Sequence, residues 1–249
     1  MTSPGKELKG NWKWRNTIET RGFRLSRSKT KYLECNFNEN GSRDGGIITF
    51  DGKEIKGSDF FRYLGSIIQK DGELDSDVAH RIKAGWVKWK NATGFLCDRG
   101  MPHKLKGKFY RTAVRPALLY GTECWAVKQC HVQKMNVAEM RMLRWMCGHT
   151  RKDRLRNEVI REKVRVAPIE DKMMENRLRW FGHVRRRPTH ATVRRLEEWG
   201  KEKIGRGRGR PKQTWLKVVE NDMRCLGVTA DMTGERAIWR ERIRVDDAI

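Results

Sequence analysis

The chain has 249 residues and a formal net charge of +24, because 55 Lys and Arg outnumber 31 Asp and Glu. Its hydrophobic content of 37% and its ten Trp supply enough apolar material for a core of one or two domains, which excludes a wholly disordered basic tail. Apolar runs of only a few residues predict no membrane-spanning segment. The polar start predicts no signal peptide, so we expect a nuclear or cytoplasmic protein that is not secreted, with six mostly reduced cysteines.

Positive charge accumulates towards the end of the chain, where 20 of the 32 arginines follow residue 148. A surface of this kind favours a polyanionic partner, and the planar guanidinium of Arg suits phosphate groups and base edges. We therefore expect RNA, DNA or an RNA–DNA hybrid as the partner. The alternative is a basic surface that only keeps the protein soluble.

The first quarter of the chain has the alternation and turn signals of β structure. Residues 17–28 have the pattern of the end of a short helix followed by a turn. Residues 31–37 then alternate like a strand. Residues 47–50 and 53–55 flank Asp51-Gly52, which predicts a hairpin because this dipeptide readily adopts positive φ angles. Residues 60–68 are predicted to form another strand. The sequence thus predicts a small antiparallel β region near the N-terminus.

Apolar residues at helical spacing predict that the remainder is helical. The longer predicted helices begin at Asp75, at Pro102, near residue 129 and at Pro168. Two shorter helices are expected at 215–226 and 237–243. The predicted fold class is therefore α+β and mainly α, with a helical bundle and a basic helical C-terminal region after the β region.

The helix that begins at Pro102 combines an apolar and a basic face. Leu105, Phe109 and Ala113 are predicted to be its buried side. Four cations recur at i, i+4, i+7 and i+11 and are expected to form one basic stripe: Lys104, Lys108, Arg111 and Arg115.

Residues with metal-binding chemistry have unfavourable spacing. One set with the pattern C-x5-C-H-x15-C-x-H lacks the close cysteine pair of structural zinc sites, and its members are Cys124, Cys130, His131, Cys147 and His149. Free thiols are the favoured interpretation and a zinc site is the alternative. The acidic pair Asp246-Asp247 is expected to lie in a frayed chain end, which is a poor place to hold Mg²⁺. The sequence therefore predicts no catalytic residue, no metal site and no cofactor.

A Gly/Arg-rich segment at 200–212 is predicted to be a linker. Within it, Gly207-Arg208-Gly209-Arg210-Pro211-Lys212 resembles the core of an AT-hook, whose arginines lie along the floor of narrow A·T minor grooves. Arg206, Arg208 and Arg210 are the candidate contacts. A flexible basic linker that contacts phosphates without sequence preference remains the alternative.

Several short sequence motifs occur in a characteristic order, and this order identifies a protein family more specifically than any single motif does. They are found at 22–26, 29–35, 61–66, 104–110, 115–125, 140–150 and 177–184, and include the runs Phe-Arg-Tyr-Leu-Gly-Ser and Arg-Pro-Ala-Leu-Leu-Tyr-Gly-Thr-Glu-Cys-Trp. Together they resemble the C-terminal part of the reverse transcriptase of plant non-LTR (LINE-type) retrotransposons. The resemblance extends from about residue 12 to the end of the chain.

This resemblance implies roles for several residues. Lys29 lies in the segment similar to polymerase motif D, where a Lys lies near the phosphates of the incoming nucleotide. Tyr63-Leu64-Gly65 matches the primer-grip hairpin, which positions the 3′ end of the primer. Helices at about 75–150 resemble the thumb that clasps the template–primer duplex. The basic stripe would then make sequence-independent phosphate contacts.

The chain departs from the family at the catalytic aspartates. In the family these precede motif D, one in motif A and two in a Tyr/Phe-Ala-Asp-Asp turn, and none of this is present here. Asp246-Asp247 follows the thumb and cannot be that turn. Because phosphoryl transfer needs carboxylates that hold Mg²⁺, we expect no polymerase activity, and Mg²⁺ would be needed only with a separate intact palm.

The resemblance also implies a division of the chain. Residues 1–74 correspond to a palm edge, 75–150 to the thumb and 151–199 to a basic helical region, followed by the 200–212 linker and C-terminal helices at 213–249. The resulting hypothesis is a truncated reverse transcriptase relic that binds nucleic acid. A chromatin-associated protein that binds DNA through the AT-hook-like segment is the alternative, and assembly with a separate fingers–palm chain is a third hypothesis.

Overall fold

A computed structural model describes residues 17–24, 26, 29–35, 49–50, 53–199 and 213–247. The chain divides into two compact units, 1–76 and 77–249. Short antiparallel strands lie in the first unit and helices make up the second. The predicted α+β, mainly α class is confirmed.

The first unit contains two antiparallel pairs of strands. β1 (Thr49–Phe50) pairs with β2 (Lys53–Glu54), which confirms the strands of the hairpin predicted around Asp51-Gly52, whose tip lies outside the described residues. β3 (Phe60–Tyr63) pairs with β4 (Ser66–Gln69). Of the strand predicted at 31–37, the described part shows one parallel bridge, between Tyr32 and Gly57.

The prediction of one strand over residues 60–68 was wrong, because the segment folds back on itself. Leu64 and Gly65 both have positive φ angles, of 46° and 86°. Two consecutive residues of this kind form the primed turn whose twist matches that of a two-residue hairpin, and glycine adopts such a φ without steric cost. The β-forming residues on both sides of the turn made the segment resemble one continuous strand.

Ten α-helices of four or more residues follow within the described residues. They are α1 Asp75–Asn91, α2 Thr93–Leu96, α3 His103–Phe109, α4 Arg115–Leu119, α5 Gln129–Met146, α6 Asn157–Val164, α7 Ile169–Arg185, α8 Thr192–Trp199, α9 Trp215–Leu226 and α10 Arg236–Arg242. The helix starts predicted at Asp75, Pro102, residue 129 and Pro168 are confirmed to within a residue. Helices α6 and α8 lie in the basic helical region predicted at 151–199, where no individual start was predicted for either of them.

The buried face of α3 differs from the prediction. Leu105 is 44% exposed, whereas Lys106 and Gly107 are buried, and the Lys106 Nζ donates a hydrogen bond to the carbonyl of Met146 at 3.0 Å. Gly107 faces inward because α6 approaches so closely that only a residue without a side chain fits beside the Val164 carbonyl. Leu105, Phe109 and Ala113 are therefore not the buried side of this helix.

A π-helical turn at Tyr110–Val114 joins α3 to α4. Such a turn contains one residue more than an α-helical turn and so shifts the register of the residues that follow. Val114, Arg115 and Leu118 consequently face the interior. The uniform helical spacing used for the sequence prediction does not include this shift.

Helix α7 packs against α9 and α10 around a cluster of buried apolar side chains, which comprises Leu178, Phe181, Val219, Val228, Trp239 and Ile243. The Trp239 indole N–H donates to the Leu178 carbonyl at 3.1 Å. Gly182 permits this approach, because a Cβ there would lie 2.3 Å from the indole nitrogen. The packing places the exposed side of α10 next to that of α7.

Candidate nucleic-acid interface

The predicted site residues of the first unit lie on its surface. Lys29 is exposed in a turn. Tyr63 and Leu64 are exposed at the tip of the β3–β4 hairpin, and Gly65 completes its turn. The structure thus has a hairpin where the resemblance implies one, and the roles of these four residues in holding nucleotide or primer remain predictions.

The four cations predicted to form one basic stripe have different surroundings. Lys104 and Lys108 are exposed on α3. Arg111 is half-buried and donates to the Arg165 carbonyl, and Arg115 is only 6% exposed. The interpretation of all four as one exposed stripe was wrong, because the π-helical turn directs the last of them inward.

Arg115 is held by a carboxylate near the end of the described chain. Its two Nη atoms donate to the two carboxylate oxygens of Asp247 at 2.7 and 2.6 Å. The Ala167 N–H also donates to Asp247 at 3.1 Å, and the Lys172 Nζ lies 3.7 Å from it. We call these groups the Asp247 anchor. The expectation of a frayed end was wrong for Asp247, because Arg115 and Ala167, which lie 132 and 80 positions earlier in the chain, donate hydrogen bonds to its carboxylate.

The Asp247 anchor makes the free energy of unfolding depend on pH in the acidic range. Partial burial acts to raise the pKa of Asp247, but the hydrogen bonds and charge of Arg115, with the Ala167 N–H and Lys172, outweigh it and hold that pKa below its ordinary value. A carboxyl whose pKa is lowered by folding stabilises the protein above the pKa of the unfolded chain, about 3.9. This stabilisation is lost as the pH falls through the lower pKa of the folded state.

We expect Asp247→Asn to lower the free energy of unfolding at pH 7 by about 1–3 kcal/mol, because the buried Arg115 guanidinium loses its charged partner. The measurement is urea unfolding at pH 7 and at increasingly acidic pH, where the difference from wild type should shrink. Asp246→Asn is the matched control, since its pair with Arg244 has both side chains more than 60% exposed. Equal effects of the two variants would contradict a specific role for the Asp247 anchor.

A set of adjoining clefts follows the exposed side of α7. Three clefts, of about 820, 500 and 400 Å³, all include Arg179 in their lining. The first and second lie between α7 and α10, and the third lies between α7 and α4. We call them together the arginine groove, whose cationic lining residues are Arg111, Arg115, Lys172, Arg179, Arg186, Arg236, Arg240 and Arg244.

Acidic residues neutralise only part of the arginine groove. Asp247 pairs with Arg115, and Glu175 accepts from Lys172 at 2.9 Å and also from Arg179. Within the part of the chain that the structure describes, neither Arg236 nor Arg240 has a carboxylate within salt-bridge distance. Four arginines and one carboxylate, Glu123, line the cleft of about 500 Å³, which therefore has an excess of positive charge.

An aromatic pair lies beside these cations. The rings of Trp180 and His183 stack with centroids 5.4 Å apart and an interplanar angle of 26°. His183 is exposed and Trp180 is half-buried, and both line the cleft of about 500 Å³. Cations next to accessible aromatic rings are the combination by which proteins bind phosphates and bases together.

Most residues of the arginine groove were not among the predicted site residues, although their spacing in the sequence is periodic. Arg179 and His183 on α7 and Arg186 just after it recur at i, i+4 and i+7. On α10 and just beyond it, Arg236, Arg240 and Arg244 recur at intervals of four. Each row is a basic helix face, and a solvated face gives the same pattern.

The remaining sequence predictions concern a metal site, the AT-hook-like segment and membrane-spanning segments. Among the described residues, no three His, Cys, Asp or Glu side chains are arranged to hold a metal ion, and the Cys and His residues considered for zinc are all within this part. The AT-hook-like residues Arg206, Arg208 and Arg210 lie outside the described residues. No helix in the described ranges is both long and apolar enough to cross a membrane.

Comparison with known proteins gives one informative similarity. No protein-family model matches the chain, and no solved structure matches it. An uncharacterized transposon-derived protein of Caenorhabditis elegans is 24% identical over 225 residues, which cover 86% of this chain and 76% of the relative. This similarity supports an origin of the chain in a transposable element.

Proposed function

We propose that this chain is a reverse transcriptase relic of a LINE-type non-LTR retrotransposon, and that its remaining activity is to bind RNA, DNA or an RNA–DNA hybrid. The resemblance of its ordered phrases to that family supports the origin, together with the similarity to a transposon-derived protein. The division into palm edge, thumb and basic C-terminal region is part of the proposal. The observation on which the binding activity rests is the arginine groove.

The dimensions of the arginine groove suit a nucleic-acid backbone. Lys172 on α7 and Arg186, which caps the end of this helix, lie 14 residues apart, which corresponds to about 21 Å at 1.5 Å per residue. This is the length of about six nucleotides along one strand of a duplex. Guanidinium groups at intervals along such a row match the phosphates in chemistry and are indifferent to sequence.

The proposal does not include nucleotide polymerisation by this chain. The resemblance implies Mg²⁺ only at aspartates of an intact palm, and Asp246-Asp247 does not fit a Mg²⁺ site. Both carboxylate oxygens of Asp247 accept hydrogen bonds from Arg115, and Asp246 pairs with Arg244 at 2.8 Å. A carboxylate that is already neutralised by a buried guanidinium is not available as a hard oxygen ligand.

The test is binding to a labelled RNA–DNA hybrid, measured by fluorescence anisotropy over a range of salt concentrations. We expect Arg236→Glu/Arg240→Glu to weaken binding by at least about tenfold. It should also reduce the slope of log affinity against log salt by about 2, because the slope follows the number of neutralised phosphates. Lys217→Glu/Arg224→Glu is the control, since it makes the same charge change at exposed positions of α9 outside the arginine groove.

Two outcomes would contradict the proposal. Wild-type protein without measurable affinity for any nucleic acid would exclude the binding activity itself. Equal losses in the groove variant and the α9 control would show that net charge acts without the arginine groove. A Lys104→Glu/Lys108→Glu variant in the same assay measures how much the exposed part of the predicted thumb stripe contributes.

A further inference from the structure

Two chemically different groups of side chains line the cleft of about 500 Å³ in the arginine groove. Arginine side chains form one group, the Trp180–His183 pair forms the other, and the lining also includes the carboxylate of Glu123. Asn176 also lines the cleft, one helical turn from Trp180. Its volume and its mixture of cationic, aromatic and amide groups correspond to the parts of a nucleotide.

Among the arginines of this cleft, the guanidinium group of Arg186 is oriented by a hydrogen bond. The Arg186 Nη1 donates to the Thr233 carbonyl at 2.9 Å, and it passes over Gly182, where a Cβ would lie 3.1 Å away. Burial lowers the pKa of Arg186, and the neighbouring charge of Arg236 lowers it further. Two guanidinium groups that repel each other in this way are stabilised by an anion that contacts both.

The aromatic residue Trp180 lines the same cleft. Trp180 is only half-buried, although the neighbouring Phe181 and Leu178 are in the core. Its ring is kept in place by the stack with His183, whose Nε2 lies 3.3 Å from the Arg187 Nη2. Aromatic rings that line a cleft beside cations are the kind of surface on which nucleobases stack without regard to sequence.

We propose that this cleft binds one nucleotide of a single-stranded RNA or DNA segment, with the phosphate between Arg186 and Arg236 and the base stacked on Trp180. The inference rests on the proposed nucleic-acid binding and names the form of nucleic acid that this part of the arginine groove selects. In a duplex the base faces are covered by their neighbours, so a duplex offers the cleft phosphates alone. A single strand offers both a phosphate to the arginines and an uncovered base face to Trp180.

The experiment compares Trp180→Leu with Trp180→Phe, because both side chains are apolar and only Phe keeps an aromatic face. Each variant is titrated with a labelled single strand and with an RNA–DNA hybrid of equal length. We expect Trp180→Leu to bind the single strand about fivefold to hundredfold more weakly, as for the loss of one stacked base. Trp180→Phe should retain most of the affinity, and hybrid binding should change less than about twofold in both variants.

An abasic single strand makes the test specific for stacking. Wild type should bind it more weakly than the normal strand, whereas Trp180→Leu should bind both equally, since the stacking partner is already absent. If Trp180→Leu leaves single-strand affinity unchanged, or weakens hybrid binding equally, the cleft contacts phosphates only and this inference is wrong while the proposed function stands. If wild type binds no nucleic acid, the proposed function itself fails.

Discussion

Arg161→Met is expected to lower the free energy of unfolding by about 3–5 kcal/mol at pH 7, because it removes one partner of a buried ion pair. Arg161 donates to the fully buried Glu139 at 2.5 Å. The same carboxylate accepts from the Tyr110 hydroxyl at 3.0 Å and from the Ile169 N–H at 3.1 Å. These two neutral donors do not compensate a buried negative charge.

The expected loss depends on pH in a defined direction. Complete burial raises the pKa of Glu139, and the charge and hydrogen bond of Arg161 oppose this only in part. Without Arg161 the pKa of Glu139 rises further, so the folded state takes up a proton that the unfolded chain does not hold at neutral pH. The variant should therefore regain stability as the pH falls from 7 towards the ordinary carboxyl pKa of about 4.3.

Urea unfolding at pH 7 and at about pH 5 measures this effect. Arg244→Met is the control, because its exposed pair with Asp246 should contribute less than about 1 kcal/mol. The double variant Arg161→Met/Glu139→Gln should recover part of the loss, since no charge is then left buried. A pH-independent loss in Arg161→Met would show that packing of the side chain, and not the charge of Glu139, causes the destabilisation.

Gly107→Ala is expected to cost about 3 kcal/mol in free energy of unfolding, at the upper end of the usual range for overpacking. A Cβ at residue 107 would lie 1.7 Å from the carbonyl oxygen of Val164 and 2.8 Å from its carbonyl carbon. These are backbone atoms of α6, which cannot rotate away as a side chain does. Relief requires α3 and α6 to separate, which also disturbs the buried Lys106.

Gly94→Ala is the matched control for this substitution. Gly94 lies in α2, and a Cβ there would have no atom within 4 Å. Alanine is preferred over glycine in a helix, so this variant should be unchanged or more stable by up to about 1 kcal/mol. Thermal unfolding followed by circular dichroism separates the two cases, and similar melting temperatures for both variants would contradict the close crossing of α3 and α6.

Periodicity predicted the helices because it depends on residues close in the chain. Val78, Trp89 and Leu96 recur at helical spacing after Asp75, and all three are buried. The Asp51-Gly52 turn signal likewise identified the β1–β2 pairing. These are local patterns in which the chemistry of a residue and of its near neighbours determines the structure.

Contacts between distant segments were not predictable in this way. The arginine groove exists because α7 and α10 pack side by side, although each helix alone has the pattern of a solvated basic face. Gly107 faces inward because of a carbonyl 57 residues away in the chain, a partner that the sequence does not identify. The π-helical turn adds a change of register that uniform spacing does not include.

The Asp247 anchor has a consequence for the time course of folding during synthesis. Its hydrogen bonds join residues 132 positions apart. At translation rates of about 5–20 residues per second, the ribosome needs roughly 7–26 seconds to add the intervening residues. Arg115 has no access to this carboxylate during that interval. We therefore expect α4 to reach its final packing only after α10 and Asp247 have been synthesised. Until then, the nascent second unit should remain accessible to chaperones.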